Sequence, residues 1–132
     1  EGATRKQAIR KMREQQMRNA FLMLLLSQGT PMIYGGDEFA NSQAGNNNAW
    51  CQDNAVGWTD WKNAKKQENL STFVKEAIAF RKKHPILHMP QEMRGVDYMA
   101  KGFPDISVHG ERAWFLNQPP SGRDVLRLLC RE

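Results

Sequence analysis

The feature that most limits what this chain can fold into is a three-residue apolar run, Met32-Ile33-Tyr34, fenced on both sides by residues that stop helices. Gly29-Thr30-Pro31 precedes it, and a proline lacks a backbone donor and biases the residue before it away from helical angles. Gly35 and Gly36 follow, then Asp37 and Glu38. A run this short and this apolar reads as a buried strand. Upstream, Ile9 and Met12, then Met17, Ala20, Phe21 and Leu24 recur at steps of three and four, which predicts a helix that becomes apolar all round over residues 20–26 and expects burial on every side there. Thr4-Arg5-Lys6-Gln7 has the form of a capping box and predicts where that helix begins. Downstream, Leu70, Phe73, Val74, Ala77 and Ile78 mark a second helix, with Lys82, Lys83 and His84 complementing the dipole of its last turn and Pro85 stopping it.

An apolar strand between two helices is the logic of a parallel α/β sheet, in which the loop after the strand's carboxyl end carries function. A (β/α)8 TIM barrel puts its active site there, but such a barrel takes about 250 residues. The 132 residues here supply one strand with a helix on each side. The expected fold class is therefore α/β, a partial (β/α)8 barrel: helix, strand, long loop, helix. Residues 1–89 read as that barrel segment, residues 90–118 as an irregular stretch with strand-like pieces such as Ile106-Ser107-Val108, and residues 119–132 as a divergent tail opened by Pro119-Pro120-Ser121-Gly122.

Composition narrows the class further. With 40% hydrophobic and 25% charged residues the chain is an ordinary globular one. Its longest apolar run, residues 20–26, is far below the roughly 20 residues a bilayer-spanning helix needs, so no membrane partner is expected. Cys51 and Cys130 lie far apart with no CxxC pairing and suit free thiols in a reducing, cytoplasmic setting. The chain opens on Glu1 rather than Met and reads as an internal piece. Much of the net charge of +5 comes from Arg5, Lys6, Arg10, Lys11, Arg13 and Arg18. Such a basic face could serve a nucleic-acid-binding module, but without an accompanying aromatic or glycine-rich RNA motif it reads as a solvated face, and no nucleic acid is expected.

The chemistry concentrates in residues 36–54. Asp37 and Glu38 invite an acid/base reading, yet neighbours in an extended segment point to opposite faces. One is expected to order the loop while the other faces the site rim. Residues 41–54 hold five Asn and two Gln with no helical or strand period. Asn46, Asn47 and Asn48 offer donors and acceptors on short side chains, as sugar hydroxyls require, and Trp50 could stack on a sugar face. A tight loop built by asparagines is the equal alternative, and Gln52 and Asp53 share it. His84 and His88 are separated by Pro85 and do not form a zinc motif, so no metal and no cofactor are expected. Ser27 and Ser42 lack a nucleophile-elbow setting, Cys51 lacks an evident His, and the acids after Gly35-Gly36 would repel phosphate.

In the passage "REQQMRNAFLMLLLSQGTPMIYGGDEFANSQAGNNNAWCQDN" the chain resembles the bacterial glycogen debranching enzymes and isoamylase-type members of the alpha-amylase family, glycoside hydrolase family 13. "FRKKHPILHMPQEMRGVDYMAKGFPDISVHGERAW" resembles the continuation in its relatives. The G-x-P-x-I-Y-x-G-D-E string is widespread in alpha-amylases, whereas GNNNAWCQDN points to the debranching subgroup. The resemblance spans residues 4–114 and implies that Met32-Ile33-Tyr34 is the eighth barrel strand, that residues 70–83 form the eighth helix, and that the tail begins a carboxyl-terminal β domain. It further implies that Gly36, Asp37 and Glu38 shape the pocket and that Asn46, Asn47, Asn48, Trp50, Gln52 and Asp53 lie where relatives bind α-glucan. The family's catalytic acids sit on earlier strands, so no catalytic residue is expected here. The implied function is a fragment of an enzyme cleaving α-1,6 branch linkages of glycogen-like glucans, inactive alone and partnered by the missing upstream barrel segment. A non-catalytic glucan-binding remnant is the alternative. From residue 115 onward the sequence departs from the family, and nothing is carried over.

Overall fold

The computed structural model describes residues 2–97, 100, 102, 104–109 and 127–130. It divides into two compact units, Glu1–His88 and Met89–Glu132.

In the first unit, helix α1 (Gln7–Leu26) packs against helix α3 (Glu68–Lys83), with a short helix α2 (Trp61–Lys66) just ahead of α3. The core follows from the apolar spacing of the two long helices. Phe21, Leu70 and Val74 form its centre, and Met17, Ile33, Ala40, Phe73 and Ile78 close around it. Leu25 and Leu70 are each 1% exposed. Burying side chains of this size stabilises by about 1.5–3 kcal/mol apiece.

Helix α1 begins two residues later than a Thr4 cap would put it. Lys6 is the capping residue and makes no side-chain cap bond. Thr4 Oγ1 instead accepts from the Lys6 amide at 3.2 Å, a local turn that leaves the expected capping box unformed. At the other end the helix stops at Leu26, as the Gly-Thr-Pro signal predicts, and Gly29 takes a left-handed φ of 90° that suits glycine. The apolar end is not buried on every side. Phe21 and Leu25 face α3, while Leu22, Met23 and Leu26 are exposed, because α3 covers only one face of α1.

Leu70, Val74, Ala77 and Arg81 are the buried residues of α3. Arg81, 7% exposed, is the buried charged residue among those described. Its guanidinium donates to the carbonyl oxygens of Leu25 (2.8 Å), Ser27 (2.6 Å) and Gly29 (2.5 Å). The Leu25 and Ser27 carbonyls are left without helical partners where α1 ends, and a fixed fork of donors at this negative terminus satisfies them together with Gly29 just beyond. Gln28 Nε2 donates to the Ile86 carbonyl across the same junction. His84 caps α3, its Nδ1–H donates to the Phe80 carbonyl at 2.8 Å, and the His84 and Phe80 ring centroids lie 4.0 Å apart.

Met32-Ile33-Tyr34 is not a strand in this chain. The segment joins no ladder among the described residues; Ile33 reaches the core while Met32 and Tyr34 are 87% and 63% exposed. A strand exists through hydrogen bonds to its neighbours, and a parallel strand needs partners brought in by crossover units. No such partner lies beside it among the described residues. The first unit is accordingly helical, and the expected sheet segment survives as an exposed, one-sidedly packed connection.

The second unit contains β1 (Ile106–His109) paired antiparallel with β2 (Arg127–Cys130), in a register that sets Ile106 opposite Cys130 and His109 opposite Arg127. The strand-like reading of residues 106–108 matches β1. Asp105, just ahead of β1, accepts the amides of Arg94 and Gly95, both at 2.8 Å. Pro119-Pro120-Ser121-Gly122 lies outside the described residues.

Candidate functional site: an amide and aromatic groove

The candidate site grows from the turn after Tyr34. Asp37–Phe39 is a single 3-10 turn entered through Gly36, whose φ of 104° is left-handed. A Cβ on Gly36 would meet the Asn41 Cβ at 2.7 Å, so both conformation and space require glycine. Asp37 and Glu38 therefore sit on a turn and not on the expected strand end, but they still diverge. Glu38 curls back to accept the Gly36 amide at 2.9 Å, and its own carbonyl accepts the Ser71 hydroxyl of α3 at 3.1 Å. Asp37 is exposed and lines a groove of about 490 Å³ with Tyr34, Asn41, Ser42, Gln43, Gly45 and Asn46. One carboxylate holds the turn and the other faces the rim.

Phe39 locks this turn to the body of the unit. It is buried, its ring centroid lies 5.7 Å from that of Trp61, and its carbonyl accepts the Asn63 side-chain amide at 3.0 Å. Asn63 is held by Asp60, whose carboxylate accepts the amides of Lys62 and Asn63 and caps α2. Asn41 Oδ1 in turn accepts the Asp60 amide at 3.0 Å. The entry of the loop at residues 38–41 is thus fastened to α2, α3 and Asp60, where the chain comes back into α2.

Beyond that entry the asparagines bond to their own loop. Asn46 Oδ1 accepts the Asn48 amide, and its Nδ2 donates to Gln52 Oε1 at 3.1 Å. Gln52 donates to the Asn48 carbonyl at 3.3 Å, and Asn54 Oδ1 accepts the Val56 amide. The Asn46–Asn48 and Asn54–Val56 bonds are Asx-type turns, in which a short amide mimics backbone, and Gln52 ties the first of them across the loop. Asn46, Gln52 and Asn54 spend their polar groups holding the loop, whereas Asn47 and Asn48 present exposed side chains.

The result is a cleft of about 720 Å³ lined by Tyr34, Gln43, Asn47, Asn48, Trp50, Gln52, Asp53 and Trp58 among others. Five of the residues expected at the site, Asn47, Asn48, Trp50, Gln52 and Asp53, meet here; Asn46 lines the neighbouring groove with Asp37. Trp50 is 90% exposed. Sequence reading missed Tyr34, Gln43 and Trp58. Tyr34 and Gln43 border both grooves, and alternation along the Met-Ile-Tyr run was the available signal for Tyr34, since Ile33 turns to the core. Polar amides beside exposed aromatic faces make a surface fitted to ligands with hydroxyls on one edge and an apolar face.

That chemistry accords with what the chain is similar to. It is a relative, over part of its length, of the glycogen debranching enzymes, as its motifs indicate. Over 95 residues it is 41% identical to the glycogen operon protein GlgX homologs of Mycobacterium tuberculosis and Mycobacterium bovis, a match that covers 72% of this chain and 13% of each relative. Over 64 residues it is 55% identical to the glycogen debranching enzyme of Salmonella typhi, covering 48% of this chain and 10% of that enzyme. The chain thus spans about a tenth to an eighth of the length of the curated relatives it matches. No family model matches it.

Proposed function

We propose that this chain is the carboxyl-terminal part of a debranching-type catalytic barrel, in a cytoplasmic protein that hydrolyses α-1,6 branch linkages of glycogen-like glucans. Residues 1–89 are its last barrel segment, in which residues 32–34 become the eighth strand once upstream strands flank them; residues 90–118 lead toward a β domain, and residues 119–132 diverge. Met32 and Tyr34, exposed on either side of the inward Ile33, support the strand assignment, because side chains that alternate in direction have the period of a strand. Within this reading, Asn46, Asn47, Asn48, Trp50 and Gln52 form the glucan-facing loop, Asp53 stands in the wall behind it, and Gly36, Asp37 and Glu38 shape its edge. The cleft of about 720 Å³ carries this reading, since it combines exposed amides with aromatic faces.

Chemistry by the chain alone is a different matter. Retaining glycosidases hold two carboxyl groups about 5 to 5.5 Å apart across one sugar bond. Each groove described here has a single acid on its wall, Asp53 in one and Asp37 in the other, and Glu38 is turned back onto Gly36. The chain should bind glycogen without cutting it. Affinity electrophoresis in glycogen gels, with a reducing-end assay on glycogen and limit dextrin, tests both halves. Asn47→Ala, Asn48→Ala or Trp50→Gly should each weaken retention by roughly two- to tenfold, the worth of one lost hydrogen bond or contact. No retention of the wild-type chain, or equal retention of all variants, would overturn the glucan reading; turnover lost on Asp37→Asn would overturn the non-catalytic one.

A further inference from the structure

Resting on the glucan reading of the cleft, we infer that Trp58 is a sugar-stacking wall of that cleft and that Asp53 is a positioning residue which holds the indole in place, touching no sugar itself. The observations begin with backbone. Asn54 gathers the next four residues into a tight turn: its side chain accepts the Val56 amide at 2.9 Å, and its carbonyl accepts the amides of Gly57 at 3.0 Å and Trp58 at 3.2 Å. Gly57 passes so close to the loop that a Cβ there would lie 2.9 Å from the Gln52 carbonyl oxygen. The turn therefore folds the chain back on itself and delivers Trp58 beside Asp53.

There the indole Nε1–H donates to Asp53 Oδ1 at 2.9 Å. An indole has one donor, and a carboxylate accepting it gives a charge-assisted bond that fixes the tilt of the ring. The ring is nonetheless 58% exposed and borders the cleft with Tyr34 and Trp50, which are 63% and 90% exposed. Three large aromatic side chains open to solvent around one polar cleft are costly to leave wet, and their apolar faces suit the C–H faces of pyranose rings. Trp58 differs from Trp50 in one respect that matters for binding. Trp50 stands out from the loop, whereas Trp58 is tied down before any ligand arrives, so less rotamer freedom is lost when a sugar settles on it.

The two roles assigned to Asp53 separate experimentally. An acid that bonded sugar hydroxyls directly would need its charge or both oxygens, whereas a positioning acid needs only one acceptor facing the indole. Asp53→Asn keeps that acceptor and Asp53→Leu removes it. Binding of a glycogen-derived limit dextrin to the full chain, followed by tryptophan fluorescence and by affinity gels, should fall roughly five- to thirtyfold for Trp58→Ala. Asp53→Leu should lower affinity several-fold, Asp53→Asn should stay within about twofold of wild type, and Trp58→Phe should resemble Asp53→Leu. Because Trp58→Phe and Asp53→Leu break the same bond, the double variant should bind no more weakly than the weaker single one. Far-UV circular dichroism of each variant guards against unfolding, and Asp53→Asn carries the decision if Asp53→Leu fails to fold. Wild-type binding with an unaffected Trp58→Ala, or with Asp53→Asn as weak as Trp58→Ala, overturns this inference alone. Absence of wild-type binding overturns the glucan reading beneath it, and the inference with it.

Discussion

Replacing Arg81 by Met should loosen the whole first unit. The methionine keeps most of the aliphatic stem and removes a guanidinium that serves the Leu25, Ser27 and Gly29 carbonyls. The Leu25 oxygen is the buried one of the set, so leaving it without a donor costs about 1–3 kcal/mol. Ser27 and Gly29 are exposed residues whose carbonyls water can reach, and each should lose about 0.5–1 kcal/mol. Release of a desolvated charge offsets part of this, which leaves an expected loss of about 2–4 kcal/mol. Measured against the roughly 5–15 kcal/mol that holds a domain together, that is a large fraction. In a unit of this size each kilocalorie lowers Tm by about 4–8 °C, so urea and thermal melts followed by circular dichroism resolve the effect easily. Arg81→Lys supplies a point charge without the planar fork and should fall between the two. It also serves as the readable variant if Arg81→Met does not fold. A melt of Arg81→Met within about 0.5 kcal/mol of wild type would refute the capping argument, since that is the range of an ordinary surface substitution.

Gly36→Ala should destabilise the first unit by about 1–3 kcal/mol and disorder the Asp37 turn, because the added methyl meets Asn41 at 2.7 Å in a left-handed backbone; a wild-type urea midpoint would count against it. In the second unit, the Arg94 amide first, opposed by some desolvation and helped by the Gly95 amide, holds the Asp105 carboxyl below its ordinary value of 3.8. A folded value lowered in this way contributes stability that is complete above the unfolded value and is lost as the pH falls through the folded one. The Arg94 and Gly95 amide resonances should therefore shift together with the Asp105 carboxyl only in strongly acidic solution, and a transition at or above the ordinary value would contradict the bonds. Finally, Met12, Leu22, Met23 and Leu26 on α1, with Met32 beyond it, leave apolar surface open, so the isolated chain should bind ANS or self-associate. A monodisperse monomer that leaves ANS fluorescence unchanged would mean that this surface is covered in solution.

The sequence by itself determined the two long helices and where each of them stops, because helix periodicity and its terminators are local; the start of α1 and the short α2 were not legible in it. Residues 70, 74 and 77 declare their face by spacing alone, and Gly29 and Pro31 end α1 without help from elsewhere. It also pointed to the loop as the place where polar amides gather, and its motif identified the relatives. What it did not disclose are the groups whose meaning depends on distant partners. Arg81 continues the buried stripe of α3, but periodicity is counted in apolar residues and a charge there looks like solvent-facing surface until the end of α1 arrives beside it. Asp60 is a capping residue for α2 that a single short turn does not announce. Among the asparagines, composition cannot tell Asn46, spent on Gln52, from Asn47, left at the groove, since the difference lies in the path of the loop. The strand expected at residues 32–34 marks the opposite limit. Its apolar pattern is written in the sequence, yet a strand's hydrogen bonds belong to its neighbours, and without them the tertiary structure leaves a largely exposed segment whose Ile33 reaches the core.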